Sequence, residues 1–184
     1  MKKRKWITTV SSVALVGVLS VLIWTQRERF TPLDVGSSAP RYRAYSLAGD
    51  PVDVTSFAGD VVLLNIWATW CRPCVVEMPA LQRLHEELRD SGLRIIAVSV
   101  DAPLGIIGSF GEPGGDVSRF VEDHGLTFTV LHDPSGRIQS QYQVTGLPTS
   151  YIIDREGRIQ QKLIGARRWD EGPLADQIRK LVEG

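Results

Sequence analysis

Runs of apolar residues divide the chain into segments of two kinds. "VVLLNIW" (Val61–Trp67) and "LRIIAVSV" (93–100) are short and almost unbroken, as expected of strands covered on both faces of a sheet. Between them, "VVEMPALQRLHEELRDSG" places apolar residues at helical spacing and stops at Gly92. Strand, helix and strand of these lengths predict a parallel βαβ unit with a right-handed crossover. Upstream, "YRAYSLAGDPVDV" alternates apolar and polar positions around a Gly-Asp-Pro turn, which predicts a small hairpin. Downstream, "DVSRFVEDHG" reads as helix, "LTFTVLHD" as extended chain and "SGRIQSQYQV" as helix. "TSYIIDREGRIQQKLIG" holds two β-rich runs around residues 154–157, a second hairpin. "WDEGPLADQIRKLVEG" closes the chain as an amphipathic helix. This order predicts an α/β domain, a mixed central sheet flanked by helices with a β-hairpin at its N-terminal side. No internal repeat interrupts it.

The N-terminal segment follows a different pattern. Residues 6–25, "WITTVSSVALVGVLSVLIWT", carry no charged side chain, and 20 apolar-rich residues suffice for a helix to cross the hydrocarbon core. Trp6 and Trp24 stand near its ends, where indole rings favour the headgroup region. Residues 1–5 hold Lys2, Lys3, Arg4 and Lys5, which keep that end cytoplasmic and send the rest of the chain outward. A cleaved signal peptide is the alternative, but no small-x-small site follows the run and no Cys is there to take a lipid. The expected organisation is a basic segment (1–5), a transmembrane anchor (6–25), a polar linker (26–37) and one domain (38–184). That domain faces a compartment where disulfides persist.

Composition narrows the function. With 43% hydrophobic and 23% charged residues the chain is globular. From Phe30 onward, 15 Lys plus Arg stand against 20 Asp plus Glu, an acidic balance that argues against nucleic acid as a partner.

Both cysteines lie in "WATWCRPC", residues 67–74. Three roles compete. A structural disulfide across so short a loop removes little entropy from the unfolded chain. A tetrahedral metal site needs four ligands; there is no second pair, and His85, His124 and His132 are scattered. Redox exchange fits the position, because the pair sits where a buried strand turns into a helix. Cys71 then occupies the helix N-terminus, where free N–H groups and the helix dipole favour an anion. Such sites lower a Cys pKa from about 8.5 toward roughly 3.5–7.5. Arg72 adds a positive charge, and Pro73 stiffens the first turn without losing a hydrogen bond. Cys71 is the expected attacking sulfur and Cys74 the resolving one. Glu77, three residues after Cys74, lies on the same helix face and is either the proton acceptor for Cys74 or an ordinary solvated residue. Pro79 is expected to kink this helix.

"WATWCRPCVVEMP", together with "GLPTSYIIDREGRI" some 75 residues later, resembles the thioredoxin superfamily, in particular membrane-anchored thiol–disulfide oxidoreductases of the TlpA/ResA type. The similarity runs from about Ala39 to the C-terminus. It implies a thioredoxin-like fold, a redox-active Cys71–Cys74 disulfide and a cis peptide bond before Pro148, with the Leu147 backbone free to pair with an extended substrate. It implies that Glu77 is the acidic residue this subfamily carries after its second cysteine. Asn65 stands where thioredoxin itself has a buried Asp, and an amide cannot accept a proton, so that route is absent. Trp70 becomes a surface-side aromatic beside the site and Trp67 a packing residue. No cofactor and no metal are implied. The partners implied are a disulfide-bearing client such as an apocytochrome c or a copper-site assembly factor, and a membrane thiol carrier that supplies electrons. The place implied is the periplasmic side of a bacterial cell membrane.

Two other functions use the same residues. A thiol oxidase or isomerase of secreted proteins runs the exchange in reverse, and Arg72 with the helix end favours it by stabilising the reduced form. A copper-delivery module needs His132 to reach the pair. A peroxidase is disfavoured, since Ala68 stands where such enzymes carry Thr or Ser. Residues 101–116, "DAPLGIIGSFGEPGGD", depart from the family pattern as a loop with five Gly and two Pro. Its apolar residues Leu104, Ile106, Ile107 and Phe110 are expected either to border the substrate groove or to form their own surface cluster.

Overall fold

A computed structural model describes residues 17–18, 33–57, 59–108 and 111–184. The anchor expected over residues 6–25 (residues 17–18 apart), most of the linker, and Phe110 lie outside the described residues. Among the described residues, no helix is long and apolar enough to cross a membrane. Leu33–Gly184 form one compact unit.

Among the described residues, seven strands make one mixed sheet in the order β2-β1-β5-β4-β3-β6-β7. They are β1 (Arg43–Ser46), β2 (Pro51–Asp53), β3 (Val61–Trp67), β4 (Leu93–Ser99), β5 (Thr129–His132), β6 (Thr149–Ile153) and β7 (Ile159–Ile164). The helices described within Leu33–Gly184 are α1 (Arg72–Leu88), α2 (Val117–Asp123), α3 (Arg137–Gln141) and α4 (Gly172–Glu183). Every residue of β3 is buried, which is why its sequence shows no alternation. It runs parallel to β4 and antiparallel to β6. The N-terminal hairpin β1–β2 joins the sheet through β1, antiparallel to β5. The β6–β7 hairpin turns as expected, with Asp154 Oδ1 accepting from the N–H groups of Glu156 and Arg158.

Register carries information about the site. Asn65 stands opposite Ser150 of β6, and Thr149 pairs with Ile66, so Pro148 lies at the end of the sheet where β3 feeds the cysteine loop. α1 begins at Arg72 and continues through Pro79 as a single element. A 3₁₀ turn (Arg89–Ser91) extends it, and Gly92 ends it at φ 102°, a left-handed angle that favours glycine. α4 packs along α1, with Arg179 bridging Glu87 at 2.7 Å and Arg83 bridging Asp170 at 2.6 Å. These exposed pairs each contribute little, about 0–1 kcal/mol.

α2 and α3 are shorter than the sequence pattern suggests. α2 ends where the His124 ring stacks on Phe120. α3 starts after Gly136 at φ 62°, with Asp133 Oδ2 accepting the Ile138 N–H. Residues 33–37, read from the sequence as the end of the tether, pack on the domain: the Gly36 N–H donates to the Ile159 carbonyl at 2.7 Å.

Candidate active site

Cys71 and Cys74 form a disulfide, with their Cα atoms 5.3 Å apart. Cys71 is the N-cap of α1, and its Sγ accepts the Cys74 N–H at 3.3 Å. Arg72 and Pro73 fill the first two helical positions, where an N–H has no helical partner in any case. The two sulfurs are not equivalent. Cys71 keeps 6% of its surface exposed and Cys74 none, so a substrate reaches Cys71 only. Trp70 is 39% exposed beside it, whereas Trp67 is wholly buried against Phe120. The Leu147–Pro148 peptide bond is cis, and the Pro148 carbonyl accepts the Gly165 N–H at 2.8 Å.

Glu77 is not a solvated helix residue. It is 2% exposed, and three donors meet its carboxylate. Asn65 Nδ2 reaches Oε1 at 2.8 Å, while the Arg167 backbone N–H and Trp169 Nε1 reach Oε2 at 3.0 and 2.8 Å. Burial raises the Glu77 pKa, opposed by the bonds from Trp169, Arg167 and Asn65. Desolvation wins, as it does when a carboxylate is enclosed without a paired cation. A carboxylate raised in this way is better matched to proton transfer near neutrality than an exposed one.

Asn65 therefore does not simply lose a proton route. It donates to Glu77 and, at 2.9 Å, to Ser150 Oγ, so it orients the Glu77 carboxylate. Trp169 and Arg167 were not identifiable from sequence. A buried indole usually finds a partner for its N–H, and that is the hint the sequence gives for Trp169.

His132 is engaged elsewhere: its Nε2 lies 2.8 Å from the Asp101 carbonyl. Among the described residues, no group of three His, Cys, Asp or Glu is placed to hold a metal ion. The loop 101–116 meets the site at its base, where Asp101 accepts hydrogen bonds from Thr69. Leu104, Ile106 and Ile107 are more than half exposed. The depressions they line are shared with Pro134, Val144 and Tyr45, and with neither cysteine nor Pro148. Ile106 and Ile107 thus border the segment 134–144, and Leu104 borders the N-terminal hairpin.

The chain is similar to known proteins in both sequence and fold. The AhpC/TSA family pattern matches residues 35–162. A thiol-disulfide oxidoreductase ResA of Bacillus thuringiensis subsp. konkukian is 32% identical over 150 residues, covering 82% of this chain and 80% of the relative. One of Geobacillus kaustophilus is 33% identical over 169 residues, covering 90% and 91%. A crystal structure from Chlorobium tepidum, described as a thiol:disulfide interchange protein DsbE, superposes with a TM-score of 0.71 at 32% identity, covering 82% of this chain and 99% of that one. With its cysteine pair at a helix N-terminus on a mixed seven-stranded sheet, the chain belongs to the thioredoxin-like AhpC/TSA family and, within it, to the ResA-type thiol–disulfide oxidoreductases.

Proposed function

We propose that this oxidoreductase works as a membrane-tethered reductase of protein disulfides on the extracytoplasmic side of a bacterial cell membrane. The observation that carries the reading is the pairing of Cys71, the helix cap and the less buried of the two cysteines, with a buried Glu77 one turn beyond Cys74. The charge-free run at residues 6–25, preceded by four basic residues, supports the tether.

The reduced pair acts in two steps. Cys71 thiolate attacks one sulfur of the client disulfide; that S–S bond breaks, a mixed disulfide forms, and the departing client sulfur takes a proton. Glu77 then accepts the Cys74 proton, and the Cys74 thiolate attacks Cys71 Sγ. The second client sulfur leaves, the Cys71–Cys74 bond closes, and two electrons have passed to the client. An extended client strand pairs with the Leu147 backbone beside cis-Pro148. A membrane thiol carrier re-reduces the pair, and clients of the apocytochrome c or copper-site assembly kind fit the role.

Trapping tests it. Full-length protein with Cys74→Ser is expected to accumulate a dithiol-sensitive adduct through Cys71, identifiable by mass. Failure to form any adduct with disulfide-bearing clients overturns the reading. Direction is decided separately, since helix capping of Cys71 favours the reduced form and so an oxidase. A reduction potential well above about −180 mV, that of protein disulfide isomerase, assigns the reverse reaction.

A further inference from the structure

Thr69 lies two residues before Cys71 and is pinned from outside its own segment. Its N–H donates to Asp101 Oδ2 at 2.9 Å, and its hydroxyl to Asp101 Oδ1 at 2.5 Å. The Asp101 side chain is wholly buried. Ser99 Oγ supplies a third donor to Oδ2 at 2.6 Å and accepts the Asp101 N–H at 3.1 Å. An enclosed carboxylate is tolerated only when hydrogen-bonded in this manner, and two of its three donors come from one residue of the redox loop.

The position of Thr69 explains the consequence. The Cys71 N–H donates to the Ala68 carbonyl at 3.2 Å, so Thr69 and Trp70 are the central residues of the turn that delivers Cys71 to the helix end. Fixing Thr69 fixes the turn. Gly115, from the far end of the inserted loop, closes over these bonds. A Cβ there would stand 2.1 Å from Thr69 Oγ1 and 2.2 Å from Asp101 Oδ1. Gly115 is not among the positive-φ glycines, so it is the side-chain clasp that excludes a larger residue, not the backbone.

We propose that Asp101 is a positioning residue for the redox cysteine: with Gly115 covering it, its carboxylate holds Thr69 so that Cys71 Sγ stays over the N-terminus of α1. Asp101, wholly buried, acts through Thr69. The inference rests on the reading of Cys71 as the attacking thiolate, and it holds for either direction of exchange. A loosened turn dilutes the contact between sulfur and helix N–H groups, which raises the Cys71 pKa.

The test is the pH dependence of iodoacetamide alkylation in reduced full-length protein, with Cys71 and Cys74 distinguished by mass. Gly115→Ala pushes a carbon into the clasp without changing charge. Thr69→Val removes one bond at constant shape, and Thr69→Ser keeps it. The first two are expected to raise the Cys71 pKa by about half a unit or more, slowing alkylation about threefold below the transition. T69S should stay within about 0.2 unit of the wild type. If G115A fails to fold, T69V decides alone. A fall in melting temperature with the Cys71 pKa unmoved makes the clasp merely structural and overturns the proposal. A wild-type Cys71 that titrates like free cysteine, near about 8.5, overturns the attacking-thiolate reading and this inference with it.

Discussion

Glu77→Gln is expected to slow disulfide reduction about 10- to 100-fold at pH 7 while leaving the protein at least as stable as before. The size follows from the resolving step. A thiol of ordinary pKa, about 8.5, is roughly 3% ionised at pH 7, so a proton acceptor gains at most about 30-fold there. Cys74 is wholly buried, which raises a thiol pKa and widens the gain. The loss should therefore grow as pH falls from the alkaline side, level off once Glu77 itself takes up a proton, and close at high pH as Cys74 ionises unaided. Single-turnover kinetics from pH 5 to 10 check this, and a loss of equal size across that range would exclude proton transfer as the role of Glu77.

The same substitution separates chemistry from folding. Gln Oε1 can take the bonds from Arg167 and Trp169, and its amide group then faces Asn65. Asn65 Oδ1 is buried without a partner, and turning that side-chain amide by half a revolution supplies the acceptor the new amide needs. Glu77 itself has its folded pKa raised above the ordinary carboxylate value, mainly by burial. It binds its proton more tightly folded than unfolded. Stability is thus fullest below the unfolded value of about 4.3 and is lost as pH rises through the folded pKa. Gln carries no such loss, so the stabilities of wild type and E77Q should diverge as pH rises above about 4, with the variant higher. Lower activity with higher stability is what a buried catalytic acid predicts.

What the sequence makes legible is local. β3, β4 and both hairpins are visible because each is a short run whose period or burial shows within its own residues. The cysteine pair and Glu77 are visible because three-residue spacing on a helix places side chains on one face. α3 is overestimated because "RIQSQYQV" keeps helical spacing past Gln141, while Gln143 takes a positive φ of 49° that ends the helix. The parts of the site that depend on chain return are not legible. Trp169 and Arg167 reach Glu77 from about 90 residues away only because the segment before α4 folds back over α1. Asp101 reads as the first residue of a loop, and its grip on Thr69 exists only because β4 lies beside β3. Asn65 reads as a lost carboxylate; that it donates to Glu77 follows from α1 crossing β3, which no local pattern encodes.

Asn65→Asp restores thioredoxin's residue type at this position, yet here it should be strongly destabilising at neutral pH. Asn65 is wholly buried on the central strand, with its Nδ2 2.8 Å from Glu77 Oε1. An aspartate oxygen in that place faces another carboxylate at hydrogen-bond distance, and two such groups cannot both ionise; the pair keeps one shared proton. In the unfolded chain both ionise by about pH 5. The pair's second folded pKa is therefore raised, and stability is lost from about pH 4 upward until that pKa is passed. Each pH unit in the window removes about 1.4 kcal/mol, giving about 3–4 kcal/mol at pH 7. For a chain of this size that lowers the melting temperature by roughly 10 °C. The shared proton also fills the site meant for the Cys74 proton, so the variant should lose reductase activity along with stability, unlike E77Q. Thermal denaturation at pH 4, 7 and 8.5 measures the effect: near-wild-type stability at pH 4 with a steep fall above it is the expected result. A pH-independent loss would mean that Asn65 fills space beside Glu77 without sensing its charge.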